Sequence, residues 1–141
     1  MNIKAEAILG FDPGRDKCGI AVRDRNRELI YHQIIESKKA ISTIERLITE
    51  YQVDLIVMGD KTTAKIWFDR FQSNLSVTTA IEMVDENNST LEARDRYWKI
   101  YPPKGLTRLV PEGLRIPPRP VDDIVAILLI ERYLSKLSMS Q

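Results

Sequence analysis

The sequence predicts an α/β domain on a mixed five-stranded sheet, in which a three-strand antiparallel meander precedes two helix-linked parallel strands and helices flank the sheet. Three observations support this prediction. Three apolar or alternating segments follow one another near the start of the chain with only short polar turns between them. Two further apolar runs alternate with segments of helical periodicity. A strong helical segment then closes the chain.

The meander occupies the first part of the chain. Residues 6–12 and 18–23 are apolar runs, and Asp12-Pro13-Gly14 predicts a tight turn after the first of them. Residues 28–36 alternate between two faces and follow a polar turn at residues 24–27. Asp12 therefore ends a buried strand, where a sheet holds a carboxylate rigidly beside a cleft. That position suits a metal ligand.

Helices and strands alternate in the rest of the chain. The apolar residues change from a two-residue period to helical spacing after residue 40. Ser89 and Glu92 have the spacing of a capping box, which predicts a helix start. The predicted elements are helix 41–51, strand 53–58, helix 63–75, strand 78–84, helix 89–100, a Pro-, Gly- and Arg-rich loop 101–120, and helix 121–137.

Composition narrows the class of protein. A chain of 141 residues with 43% hydrophobic content predicts one domain over residues 1–141 with a real core. The formal net charge of +1 means that any polyanion site must come from local clustering. Cys18 is the single cysteine, so no intrachain disulfide can form, and its apolar strand favours a core position. A cytoplasmic protein with no membrane partner is expected, since the sequence has no signal-peptide pattern and no membrane-spanning run.

Acidic residues recur where the predicted strands end and the helices begin. Such ends converge on a crevice in mixed α/β sheets, and carboxylates gathered there suit a hard cation such as Mg²⁺ or Mn²⁺. That ion can orient a water and stabilise charge on a phosphodiester. The alternative is that they are ordinary helix caps, with Asp60 and Asp122 each preceding a helix. The candidate residues are Asp12, Asp60, Asp85, Glu86, Asp122 and Asp123.

Basic residues cluster between the third predicted helix and the last one, interleaved with Tyr97, Trp98 and Tyr101. Beside an acidic metal site they would bind a phosphate backbone, and the aromatic rings could stack on unpaired bases. The alternative is a solvated helix face followed by a proline-rich connector, with Trp98 in the core. His32 has no Cys or His companion, so it is predicted to be a plain strand residue rather than a zinc ligand. The candidate nucleic-acid-binding residues are Lys61, Arg94, Lys104, Arg108, Arg115 and Arg119.

Three segments carry a resemblance that covers nearly the whole chain: GFDPG at 10–14 with GIAV at 19–22, VDENNSTLEAR at 84–94, and VDDIVAILLIE at 121–131. Together they resemble the YqgF (RuvX) family of the RNase H-like superfamily, relatives of the RuvC Holliday junction resolvase. The resemblance implies an RNase H-like fold and a metal-dependent nuclease with Asp12, Glu86 and Asp122 as its acidic set. Asp122 is favoured over Asp123 because it follows Val121 at the matching position.

The resemblance also implies a partner. Family members are linked to Holliday junction resolution or to trimming of the small-subunit rRNA precursor, so the expected substrate is branched DNA or precursor rRNA. The expectation leaves open whether the protein is a homodimer.

Two departures from the family pattern motivate an alternative function. Asn87 stands where the family has an arginine after Asp-Glu, which removes a partner for phosphate or carboxylate. Residues 59–61 are Gly-Asp-Lys where the family usually has Gly-Leu-Pro, which places Asp60 near an acid that RuvC-type resolvases carry. The alternative is a catalytically weak or inactive nucleic-acid-binding or interaction protein on the same fold. A phosphate-handling fragment of the actin and sugar-kinase type ranks last, because the chain is too short for their two-domain clamp.

Overall fold

A computed structural model describes residues 7–75 and 79–139, and a five-stranded sheet lies at its centre. The strands are β1 (Ile8–Asp12), β2 (Lys17–Arg23), β3 (Leu29–Glu36), β4 (Leu55–Gly59) and β5 (Ala80–Val84). Their order in the sheet is β3-β2-β1-β4-β5. β2 pairs antiparallel with β1 and β3, whereas β4 pairs parallel with β1 and β5. The predicted meander with two added parallel strands is confirmed.

The helices follow the predicted order. They are α1 (Ala40–Tyr51), α2 (Ala64–Asn74), α3 (Ser89–Ile100) and α4 (Asp122–Met139). The segment predicted as a long loop contains two short 3-10 turns, Gly105–Leu109 and Glu112–Leu114. The predicted starts of the first and fifth strands, residues 6 and 78, lie outside the described residues. In residues 7–75 and 79–139, no helix combines the length and the apolar character needed to cross a membrane.

The central strands β1, β2 and β4 are buried on both faces because their side chains alternate between two cores, whereas β3 and β5 at the edges are partly exposed. Ile8 and Val57 pack with residues of α3 and α4 in one core. Leu9 and Met58 pack with residues of α1 and α2 in the other. Cys18 lies in this second core, fully buried, as its apolar strand predicts. The strands are thus fixed between two helical layers, which sets where their ends fall.

Two glycines allow α4 to lie directly on the sheet. A Cβ at Gly10 of β1 would overlap the carbonyl oxygen of Ala126, and a Cβ at Gly19 of β2 would overlap that of Asp122. Gly19 is also the residue that pairs with Asp12 in the sheet. The close approach therefore places the first residue of α4 beside the end of β1, and this contact builds the site described below.

The predicted capping box at the start of α3 is wrong. Ser89 is the first helical residue, and Asn88, in the left-handed conformation with φ 59°, precedes it without a side-chain cap. Glu92 does not return to the helix start, because its Oε1 accepts a hydrogen bond from Arg132 Nη2 at 2.9 Å. A long-range ion pair between α3 and α4 takes the place of the local cap.

Replacing Gly10 with alanine is expected to lower the free energy of unfolding by about 1–3 kcal/mol, since the new methyl overlaps the backbone of α4. Urea unfolding followed by circular dichroism measures the change. Gly113→Ala is the control, because nothing lies within 4 Å of a Cβ built there. The control should stay within about 0.5 kcal/mol of the parent protein. Equal stability of the two variants would contradict the close packing of α4 on β1.

Candidate active site

Three acidic side chains come together at one edge of the sheet. Asp12 is the last residue of β1, Glu86 follows β5, and Asp122 is the first residue of α4. β1 and β5 both run parallel to β4, so their carboxyl ends lie at the same edge. The packing of α4 on Gly19 brings Asp122 to that edge as well. The fold gathers the three acids that the family resemblance implies.

Asp12 and Glu86 form a buried carboxylate pair, each residue being only 5% exposed. One oxygen of each, Asp12 Oδ1 and Glu86 Oε2, has no hydrogen-bond partner. A buried carboxylate oxygen without a donor costs free energy. Two such oxygens in one place are therefore more typical of a cation site than of a purely structural contact.

Residues 59–61 hold Glu86 in place. A Cβ at Gly59 would overlap the Glu86 carboxylate, so glycine leaves the space that this side chain fills. The backbone N–H of Lys61 donates to Glu86 Oε1 at 3.1 Å. The Lys61 ammonium lies 3.5 Å from Glu86 Oε2 and 4.0 Å from Asp12 Oδ1. Lys61 thus faces the buried pair and does not lie on a separate basic surface.

All three acids have raised pKa values. Burial raises the pKa of Asp12 to about 8, the charge of Lys61 opposes the shift, and the charges of Glu86 and Asp122 add to it. Burial also raises the pKa of Glu86 and that of Asp122, again against the effect of Lys61. Acids that are perturbed in the same direction in one cluster are characteristic of functional sites.

Asp60 and Asp85 support the backbone around Glu86. Asp60 Oδ1 accepts a hydrogen bond from the N–H of Glu86 at 3.3 Å, and Asp85 Oδ1 accepts one from the N–H of Asn87 at 2.9 Å. Both acids are exposed. Arg132 of α4 donates to the carbonyl oxygens of Asp85 and Asn87 at 2.7 and 2.8 Å. A guanidinium from α4 therefore holds the segment that contains Asn87.

Asp123 belongs to a separate ion-pair network. Its Oδ1 and Oδ2 accept hydrogen bonds from Arg119 at 3.0 and 3.3 Å, and Oδ2 lies 2.7 Å from His32 Nδ1. Burial acts to raise the pKa of Asp123, but Arg119 and His32 outweigh it and lower the pKa below its usual value. Asp122, without these partners, is the α4 acid whose charge acts on Asp12.

The basic residues predicted to bind nucleic acid differ in their surroundings. Arg94 and Arg119 line a cavity of about 210 Å³ that Asp122 also borders. Arg119 is committed to Asp123, and Arg115 donates from Nε to the carbonyl of Val110 at 2.9 Å. The remaining candidates on the segment before α4, Lys104 and Arg108, are exposed.

The three aromatic residues of this region are placed differently from one another. Tyr97 is buried and Trp98 packs against the same core, so the core alternative applies to both of them. Tyr101 is 40% exposed and lies beneath the Arg119 guanidinium, 5.6 Å from its centre. Of the three rings, Tyr101 is the most exposed.

The chemistry of the site fits a divalent cation. Among residues 7–75 and 79–139, no group of three or more His, Cys, Asp or Glu side chains is arranged to hold a metal ion. Asp12 and Glu86 nevertheless present two buried oxygens without donors, and Asp122 is near enough for its charge to raise the pKa of Asp12. Hard cations prefer such carboxylate oxygens. Asp12, Glu86 and Asp122 are therefore the residues that would hold the ion.

Known resolvases share features with this chain. A family model described as RuvX, Holliday junction resolvase, matches residues 6–136. The Holliday junction resolvase of fowlpox virus is 15% identical with a TM-score of 0.58, covering 93% of this chain and 99% of its own. Thermus thermophilus RuvC is 11% identical with a TM-score of 0.51, covering 93% and 96%. These likenesses confirm the predicted RNase H-like fold. No curated protein gives a match.

Asp12→Asn is expected to stabilise the protein in metal-free buffer, increasingly so as the pH rises. The folded-state pKa of Asp12 is raised from 3.8 to about 8. Ionisation of the carboxyl therefore costs stability progressively between these values, and the wild-type free energy of unfolding should fall across that window. The variant should exceed wild type by at least about 1 kcal/mol near pH 8. Urea unfolding with a chelator, at several pH values, measures the difference.

Asp69→Asn, which changes an exposed carboxylate on α2, is the matched control for this experiment. Its pH profile should follow that of the wild-type protein. A profile for Asp12→Asn that runs parallel to wild type at every pH would contradict the raised pKa.

Proposed function

The chain belongs to the RuvX family of Holliday junction resolvases, and from this we propose that it is a metal-dependent endonuclease. It would hydrolyse phosphodiester bonds in structured nucleic acid, with Asp12, Glu86 and Asp122 as its catalytic acids. The observation that carries the proposal is the buried Asp12–Glu86 pair, which has two oxygens without donors and lies near enough to Asp122 for that charge to raise the pKa of Asp12. If no cation bound here, hydrogen-bond partners for the two carboxylates, or apolar residues in their place, would make the fold more stable.

In the proposed reaction, the metal ion and the residues of the chain have different roles. Mg²⁺ or Mn²⁺ bound there would activate a water and stabilise charge on the phosphodiester. Asp12 and Glu86 contribute rigid carboxylates, because both are buried and Glu86 is held by the backbone of Lys61. Asp123 contributes indirectly, since its ion pair with Arg119 and its contact with His32 fix the start of α4 next to Asp122.

The proposed nucleic-acid contacts surround the acids. Arg94 borders the same cavity as Asp122, so its guanidinium would bind a phosphate next to the reacting bond. Lys104 and Arg108 are exposed on the segment before α4 and would extend the contact along the backbone. The family description favours branched DNA as the substrate, with precursor rRNA as the other candidate. The proposal assumes a cytoplasmic protein with one domain over residues 1–141, as a monomer or a homodimer.

A second candidate function is a catalytically weak or inactive nucleic-acid-binding protein on the same fold. The specific observation in its favour is Asn87, which stands exposed beside Glu86 where the family has arginine. Arg132 anchors the backbone of that segment, but its guanidinium is engaged by carbonyl oxygens and by Glu92. This candidate predicts junction binding that depends on Arg108 and Arg115 and is indifferent to Mg²⁺.

Cleavage of a labelled synthetic four-way junction and of a precursor rRNA fragment tests the proposal. Wild type should cut one of them in Mg²⁺ or Mn²⁺ and not with a chelator. Asp12→Asn, Glu86→Gln and Asp122→Asn should each lower the cleavage rate by at least about 100-fold, because each removes a ligand charge. Asp69→Asn serves as the control and should cleave like wild type.

Two outcomes would count against this function. Equal cleavage by wild type and Asp12→Asn would overturn the assignment of the catalytic acids. Junction binding by wild type without cleavage in either metal would establish the second candidate instead.

A further inference from the structure

Lys61 lies at the open side of the carboxylate pair. We propose that Lys61 is a built-in counter-ion, which occupies the cation position of Asp12 and Glu86 and which a divalent cation must displace. The inference rests on the proposed function, because it takes the acidic pair to be a cation site. It assigns Lys61 a role in metal loading, in addition to the phosphate contact that its charge alone suggests.

The atoms that Lys61 faces are the ones left without hydrogen bonds. Its Nζ lies 3.5 Å from Glu86 Oε2 and 4.0 Å from Asp12 Oδ1, and both of these oxygens lack a hydrogen-bond partner. These separations allow an ion pair but are longer than a good hydrogen bond. The ammonium therefore offsets the negative charge of the pair and leaves both oxygens available to a closer ligand.

The Lys61 ammonium can move away from the two carboxylates while the Lys61 backbone keeps its contact with Glu86. The side chain is 48% exposed, whereas those of Asp12 and Glu86 are 7% and 3% exposed. The backbone N–H of Lys61 binds Glu86 Oε1, an interaction that does not depend on where the ammonium lies. The flexible four-carbon stem can carry the ammonium out to solvent. Glu86 then keeps its position and presents Oε2.

The Lys61 ammonium and a divalent metal ion cannot both lie against the carboxylate pair. A divalent ion binds carboxylate oxygens more closely than an ammonium does, so both would lie within a few ångströms in a buried site of low dielectric. Repulsion between the two positive charges would force the ammonium outward. The released ammonium would still be tethered at the mouth of the site, where it could bind a phosphate oxygen. Metal loading and substrate binding would thereby be coupled through one side chain.

The first test is calorimetric titration of Mn²⁺ into wild type, Lys61→Gln and Lys65→Gln. Lys65 is an exposed lysine four residues further on, in the first turn of α2, and its variant should bind like wild type. Removing the competitor should tighten Mn²⁺ binding by Lys61→Gln about tenfold, or about 1.4 kcal/mol. Lys61→Arg keeps a positive charge and should bind nearly as weakly as wild type. Without metal, the melting temperature of Lys61→Gln should be lower than that of wild type. When Mn²⁺ is added, Lys61→Gln should show a larger rise in melting temperature than the other proteins of this test.

The second test measures displacement directly. Acetylation of lysines, read by mass spectrometry, should modify Lys61 several-fold faster when Mn²⁺ is present, with Lys65 unchanged. Mn²⁺ affinity that is equal or weaker in Lys61→Gln, or a Lys61 modification rate indifferent to Mn²⁺, would overturn the inference while leaving the metal site in place. Absence of Mn²⁺ binding in both wild type and Lys61→Gln would overturn the inference and the proposed function together.

Discussion

A pair of buried carboxylates with too few hydrogen-bond donors is the constraint around which this end of the fold is arranged. Asp12 and Glu86 come from opposite sides of β4, and each has one oxygen without a partner. Gly59 leaves space for Glu86, and the backbone of Lys61 holds one of its oxygens. The Lys61 ammonium supplies part of the missing positive charge. These features supply the space, the hydrogen bond and the positive charge that stabilise the buried pair.

Helix α4 contributes a third carboxylate because glycines let it approach the sheet. Gly10 and Gly19 lie directly beneath its backbone, and Gly19 pairs with Asp12. The two acids that open this helix then take opposite electrostatic roles. Asp123 is paired with Arg119, contacts His32 and has a lowered pKa, whereas Asp122 has a raised pKa and acts on Asp12. One acid secures the helix start, and its neighbour is the one that belongs to the proposed cation site.

The sequence was sufficient for the order of the elements because these depend on local pattern, whereas the choice of Asp12, Glu86 and Asp122 came from the family resemblance and stays a prediction. Apolar period, turn residues and motif order define the strands, and strand ends carry Asp12 and Glu86. Contacts between residues far apart in the sequence leave no local pattern from which they could be predicted. His32 meets Asp123 across 91 positions and Arg132 meets Glu92 across 40, so neither the histidine contact nor the failed capping box could be predicted. Tyr97 likewise resembles a base-stacking ring in the sequence, and its burial follows only from the packing of α3 on α4.

Anomalous diffraction from crystals of the protein soaked in Mn²⁺ tests the central claim most directly. The claim is that the raised pKa values and the partnerless oxygens of this cluster reflect a cation site. It predicts an anomalous peak bonded to Asp12 Oδ1 and Glu86 Oε2, with Asp122 in its coordination shell and the Lys61 ammonium moved away from the pair. A peak elsewhere on the molecule, or none while the Lys61 ammonium stays against Glu86, would contradict it.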